Sequence, residues 1–174
     1  MESKVKALGH PVHPMLIVFP LGLLATAVIF DILELITGNG DFSIAAAYAI
    51  AAGVIGGLVA AVFGLLDWLA IPTGTRARRL GLWHGGGNVV VVLLFAISWL
   101  IRANADAWDP NAAALVLSFA GVAVAGVTGW LGGELVNRLG VGVDDGAGLD
   151  APSSLGWQKR ERRTMRRPHI RPTA

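Results

Sequence analysis

Four runs of predominantly apolar residues constrain this chain more than any other feature. They lie at about residues 14–36, 44–71, 82–101 and 110–138, and a helix needs about 20 such residues to cross a bilayer. The charged residues are few enough to agree: 15% of the chain, against roughly 25% in a soluble domain. The sequence therefore predicts an all-α integral membrane four-helix bundle. A secretory leader is the competing reading of the first run, since Lys4 and Lys6 precede it and Ala25-Thr26-Ala27 resembles a cleavage site. The apolar stretch runs well past the ~7–15 residues of a signal-peptide core, so it is read as an uncleaved span.

Local chemistry sets the expected boundaries. Residues that precede proline avoid the α region, which makes His10 and His13 extended or turn-like and puts Pro14 at the first helical position. Pro20 should kink the first span and free the carbonyl of Leu16. Ser43 is the expected N-cap of the second span, Pro72 its stop, and Asp109 with Pro110 the start of the fourth. This divides the chain into a short basic lead (1–13), a four-span domain (14–140) and a Gly-, Asp- and Pro-punctuated tail (141–174). The tail turns strongly basic and is expected to be flexible.

Thirteen of the fourteen Lys and Arg fall on one side of this topology, and Arg102 alone falls on the other. Positive charge marks the cytoplasmic side, so both termini and the middle loop should be cytoplasmic in a multi-pass membrane protein. Arg102 should snorkel to the outer headgroups, with Asp31 and Glu34 as an outer-interface pair. The basic tail should attract anionic lipids, at about 1 kcal/mol per charge. Nucleic acid is not an expected partner, because aromatics are not interleaved with that charge.

Small residues mark the packing faces. Ala46, Ala49, Gly53, Gly57, Ala60, Gly64 and Asp67 form one stripe, and Gly121, Ala125, Gly129 and Gly132 another. Such residues let helices approach closely in lipid. Pro20, Leu24, Ala27, Asp31 and Glu34 share a face of the first span, and His84, Asn88, Val91, Phe95 and Ser98 a face of the third. No strong internal repeat is visible. Asp67 and Glu134 each stand near the end of a hairpin's second helix, which is only a weak echo.

The topology gathers polar residues at the cytoplasmic end: His10, His13, Asp67, His84 and Glu134. Ionisable residues in membrane segments point to function by default. His13 and His84 are the candidate cofactor ligands, with His10 as the alternative, and Asp67 and Glu134 as further metal ligands or their supports. The set suits a haem b held by two axial histidines, a single zinc or iron ion, or a proton relay. It equally suits a non-catalytic scaffold whose polar residues only tie helices, with no cofactor. Gly85-Gly86-Gly87 would let a macrocycle or another helix come close. A proton-coupled transporter would need a homo-oligomer to enclose its path. The chain has no cysteine, which rules out its own disulfides, thiolate metal sites and iron–sulfur ligation. No nucleophile constellation or phosphate loop stands out, so no catalytic residue is assigned.

The opening Gly9-His10-Pro11-x-His13-Pro14-x-Leu16-Ile17-x-Phe19-Pro20-x-Gly22 resembles the predicted bacterial membrane protein family catalogued as domain of unknown function twenty-two thirty-one. Gly64-x-x-Asp67 with Ile71-Pro72, His84 followed by Asn88, Gly132-Gly133-x-Leu135-Val136 and Leu139-Gly140-Val141-Gly142-Val143 continue the likeness. The resemblance covers about residues 5–145 and implies a four-span domain of a bacterial inner membrane without an assigned activity. Some members carry a Rieske-type iron–sulfur domain, which implies membrane redox work. With no cysteine here, such a redox partner would be a separate protein.

Overall fold

The computed structural model describes residues 1–155, so the basic segment expected to attract anionic lipids lies outside the described residues. A two-stranded antiparallel ribbon comes first, β1 (Lys6–Ala7) and β2 (His10–Pro11), paired through Lys6↔Pro11 and Ala7↔His10. Then come α1 (Val12–Leu16), α2 (Val18–Thr37), α3 (Asp41–Ala70), α4 (Arg76–Ala103) and α5 (Ala112–Gly133), the last running on as a π-helical turn over Glu134–Arg138. Four helical segments are long and apolar enough to cross a membrane: Val12–Thr37, Asp41–Ala70, Arg76–Ala103 and Ala112–Arg138. Their outer surface bears bare Phe19, Ile29, Ile55, Leu65, Leu93 and Val127, the surface a bundle solvated by lipid presents.

The first span breaks where the proline chemistry requires. Pro20 has no N–H to give the Leu16 carbonyl, and its ring crowds that carbonyl. The helix accordingly interrupts at Ile17, whose ψ of −17° is tighter than α-helical. Helical ends differ from the expected ones. The first begins at Val12, so His13 is helical and Pro14 stands at its third position. That is tolerable because the first four N–H groups of a helix have no partner to lose. Ser43 does not cap α3, which begins at Asp41, but is buried inside it. α4 starts six residues before the apolar run, capped by Thr75, whose Oγ1 accepts from the Arg78 N–H at 3.1 Å. Asn111 rather than Asp109 caps α5, accepting from the Ala114 N–H at 3.0 Å.

α2 packs on α3 and α4 on α5, and the two hairpins meet around Leu24, Ala27, Val28, Ala46, Ala49, Ile50, Val91 and Phe95. The small-residue seam is used as spacing implied. A Cβ on Gly53 would sit 2.7 Å from a Leu24 methyl, and one on Gly121 2.6 Å from the Phe95 ring. Gly129 is the exception: a Cβ there would meet nothing within 4 Å, so it faces outward.

Arg102 overturns the snorkelling expectation. Its side chain is fully buried and forms a two-pronged bond to Asp31, Nη1–Oδ1 2.7 Å and Nη2–Oδ2 2.8 Å. Nε and Nη2 also reach the hydroxyls of Ser98 and Ser118 at 3.3 and 3.2 Å. Arg102, not Glu34, is thus the partner of Asp31. A buried cation in lipid must be matched by an anion or be expelled, and here it is matched.

At the opposite end, residues 1–11 lie along the segment after α5. The Met1 ammonium donates to the Gly140 carbonyl at 3.1 Å, and Gly142 N–H donates to the Met1 carbonyl at 2.9 Å. Lys6 bonds Asp144 at 2.6 Å and Glu2 at 2.7 Å. These carboxylates, Asp144 foremost, hold the Lys6 ammonium above its ordinary pKa.

Candidate functional site

His13 lies in the first turn of α1, turned toward α3. Its Nδ1 is 2.9 Å from the Ala60 carbonyl, and its ring lies on Gly64, where a Cβ would stand 2.8 Å from Cε1. His84 repeats this arrangement from α4 onto α5. Its Nδ1 is 2.8 Å from the Thr128 carbonyl, and a Cβ on Gly132 would stand 3.1 Å from Cε1. A carbonyl can only accept, so each Nδ1 carries a proton, and in the neutral imidazole that tautomer leaves the lone pair on Nε2. The two rings come together across the hairpin interface, with centroids 6.5 Å apart and planes at 88°.

His84 Nε2 is 3.2 Å from the Asn88 side-chain nitrogen. Asn88 Oδ1 in turn accepts from the Thr128 hydroxyl at 3.0 Å. The chain Thr128–Asn88–His84 is therefore consistent in donor and acceptor throughout, with the His84 ring fixed at both nitrogens. Among the described residues, His13 Nε2 has no side-chain or backbone partner.

The other candidates are placed elsewhere. His10 is exposed on β2, its Nε2 3.4 Å from the Ser154 hydroxyl. Asp67 accepts from Ser3 Oγ at 2.7 and 2.8 Å and from the Lys4 N–H at 2.8 Å, which anchors the amino-terminal segment over the end of α3. Glu134 pairs with Arg76 at 3.0 Å and lies 3.9 Å from Arg138. Arg78 bonds neither carboxylate: it stacks over the Trp68 ring at 3.7 Å and donates to the Trp68 and Ile71 carbonyls at the end of α3. No group of three or more His, Asp or Glu able to hold a metal ion occurs among the described residues. The carboxylates sit about one turn beyond the imidazoles, where basic and backbone donors claim them first.

The triglycine divides in its use. Gly87 is pressed against the Thr128 methyl and serves helix packing, whereas Gly85 and Gly86 have open space where a Cβ would be. Sequence reasoning missed the second polar centre, Asp31 with Arg102, Ser98 and Ser118. Its signal was present, since the stripe His84, Asn88, Val91, Phe95, Ser98 reaches Arg102 at its next four-residue step.

A family model described as a predicted membrane protein (DUF2231) matches residues 9–145, a stretch that holds His10, His13 and His84 and the four spans. Comparison with curated proteins and with solved structures returns no match.

Proposed function

The chain belongs to this DUF2231 family of predicted membrane proteins, and from that premise we propose that it holds one haem b through His13 and His84 and serves membrane electron transfer. The observation that carries the reading is the pair of imidazoles, one from each hairpin, at 6.5 Å. At that separation His13 and His84 would be the two residues to hold the group between them. Each Nδ1–H is spent on a backbone carbonyl, which fixes the tautomer and raises the basicity of Nε2, as in metal-bound histidines. Donor count favours haem over a bare ion. A structural or catalytic zinc takes three or four protein ligands, and Asp67 and Glu134 are engaged elsewhere. A haem would need no protein ligand beyond His13 and His84.

When bound, such a group supplies one-electron chemistry. The residues of this chain hold and tune it: the carbonyls of Ala60 and Thr128 orient the imidazoles, and Asn88 must release His84 Nε2 for ligation. The charge balance supports the histidine end facing the cytoplasm, with anionic lipid under the tail; electron transfer by a bacterial member of this family would take a separate redox protein as partner. One observation favours a second reading. Asn88 already occupies His84 Nε2, which suits a scaffold in which the histidines only join helices.

An absorption spectrum and iron analysis of the purified protein, before and after hemin addition, separate the two. The haem reading predicts a Soret band that His13→Ala and His84→Ala each abolish. A colourless protein that gains no Soret band with hemin establishes the scaffold reading instead.

A further inference from the structure

The two hairpins align in sequence at one fixed offset for each helix, a register that their residue types conceal. On α2 the buried positions include Pro20, Leu24, Ala27 and Asp31, and on α4 they include Val91, Phe95, Ser98 and Arg102. Each of the second set follows its counterpart by 71 positions. The buried positions of α5 are Ala114, Ser118, Gly121 and Thr128, and each follows by 68 a buried position of α3, namely Ala46, Ile50, Gly53 and Ala60. The contacts obey the same offsets. Gly53 receives Leu24 as Gly121 receives Phe95, and Gly64 receives His13 as Gly132 receives His84. His13 bonds the carbonyl four residues before its glycine, and so does His84. The drop from 71 to 68 means that equivalent positions on the two helices of a hairpin stand three residues closer in sequence in the second hairpin, Arg102 to Ala114 against Asp31 to Ala46. The echo between Asp67 and Glu134 belongs to a different register, because Asp67 corresponds to Leu135.

Two contacts join equivalent residues, His13 with His84 and Asp31 with Arg102. In a two-fold arrangement, a residue that meets its own equivalent lies on the axis. The two contacts are eighteen residues apart in both hairpins, about 27 Å along a helix. The pseudo-axis therefore runs lengthwise through the bundle, the relation of parallel repeats about the membrane normal.

We infer that the chain is two copies of one helical hairpin fused in tandem, and that Asp31 with Arg102, Ser98 and Ser118 is the lock that makes each half fit the other rather than a second copy of itself. On the axis a hairpin paired with its own copy would bury two carboxylates or two guanidinium groups together. Opposite charges at equivalent positions forbid both self-pairings and allow the mixed one. The inference is independent of any cofactor, since it rests on register and charge alone.

The test transposes the lock in the full-length chain. Each half receives the other's residues at the equivalent positions, as the combined variant A27S/D31R/I50S/S98A/R102D/S118I. The readouts are the monodisperse fraction extracted in detergent and the midpoint of its unfolding by SDS. Asp31→Arg and Arg102→Asp alone should each lose at least about tenfold of the monodisperse protein, since each buries an unmatched charge. The transposed variant should recover it to within about twofold, because the halves present equivalent surroundings. A transposed variant as poor as either single reversal, including one that cannot be extracted at all, overturns the inference.

Discussion

Replacing Arg102 with Met isolates the buried charge on which the hairpin interface depends. The change leaves the Asp31 carboxylate fully buried, stripped of two bonds at 2.7 and 2.8 Å, with no cation facing it. Removing one partner of a buried ion pair typically costs about 3–5 kcal/mol, because the survivor stays desolvated and unpaired. That is a large share of the ~5–15 kcal/mol that holds a domain folded. Ser98 and Ser118 add little to that loss. Their hydroxyls bond each other at 2.9 Å, and Ser98 also donates to the Ala114 carbonyl at 2.8 Å, so neither is orphaned by the substitution. The double variant Asp31→Leu/Arg102→Met should behave differently. Apolar groups of similar volume often replace a buried pair with little loss, so most of the stability should return. Reversible unfolding in mixed micelles of rising SDS fraction measures both. A loss of less than about 1 kcal/mol in the single variant would show that Asp31 and Arg102 are not a desolvated pair, since a buried unpaired charge cannot be that cheap. So would a double variant no more stable than the single one.

Gly64→Ala should cost about 1–3 kcal/mol, because its methyl enters the His13 ring and small-to-large changes in packed sites are strained. Gly22→Ala, where a Cβ meets nothing within 4 Å, should be neutral or slightly stabilising in the same unfolding assay. Asn88→Ala frees His84 Nε2 from its 3.2 Å bond. Hemin affinity in titration should then rise several-fold, since a net hydrogen bond of ~1 kcal/mol no longer competes; a fall in affinity would make Asn88 a support of the site. For Lys6 the folded pKa lies above the ordinary value of 10.5, through Asp144 first and Glu2 second. Its contribution is therefore complete below pH 10.5 and disappears as pH rises through the raised value. Hydrogen exchange of residues 1–11 should be unaffected between pH 6 and 9 by this group, and Lys6→Gln should accelerate it across that range.

Span number, packing seam and paired histidines were all legible in the sequence. Each rests on a local pattern: apolar length, small residues at three- and four-residue steps, and a His at the start of α1 and another at the start of the third apolar run, two turns into α4. Helical ends were less legible, because hydropathy stops at the edge of the apolar run while the helix does not. Arg76, Arg78 and Arg79 thus fell outside the third span although Thr75 caps a helix that contains them. Arg102 was misread for a different reason. Counting charge by side assigns every cation to an interface, and only the facing helix shows that Asp31 lies opposite. The repeat was hidden because equivalent positions carry Leu24 and Phe95, Asp31 and Arg102, or Ala60 and Thr128. Burial keeps the register where residue identity does not. Asp67 and Glu134 lay in the right region but were claimed by Ser3 and Arg76, contacts that no local pattern announces.

The central claim is that the two hairpins jointly present their imidazoles to one iron. Hemin titration of the full-length protein in detergent, followed by electron paramagnetic resonance of the ferric form, tests it most directly. Saturation at one hemin per chain is expected, with the low-spin signal that ligation by His13 and His84 would give, lost in both His13→Ala and His84→Ala. Saturable binding that survives in either variant, or a high-spin signal in the unaltered protein, would contradict it.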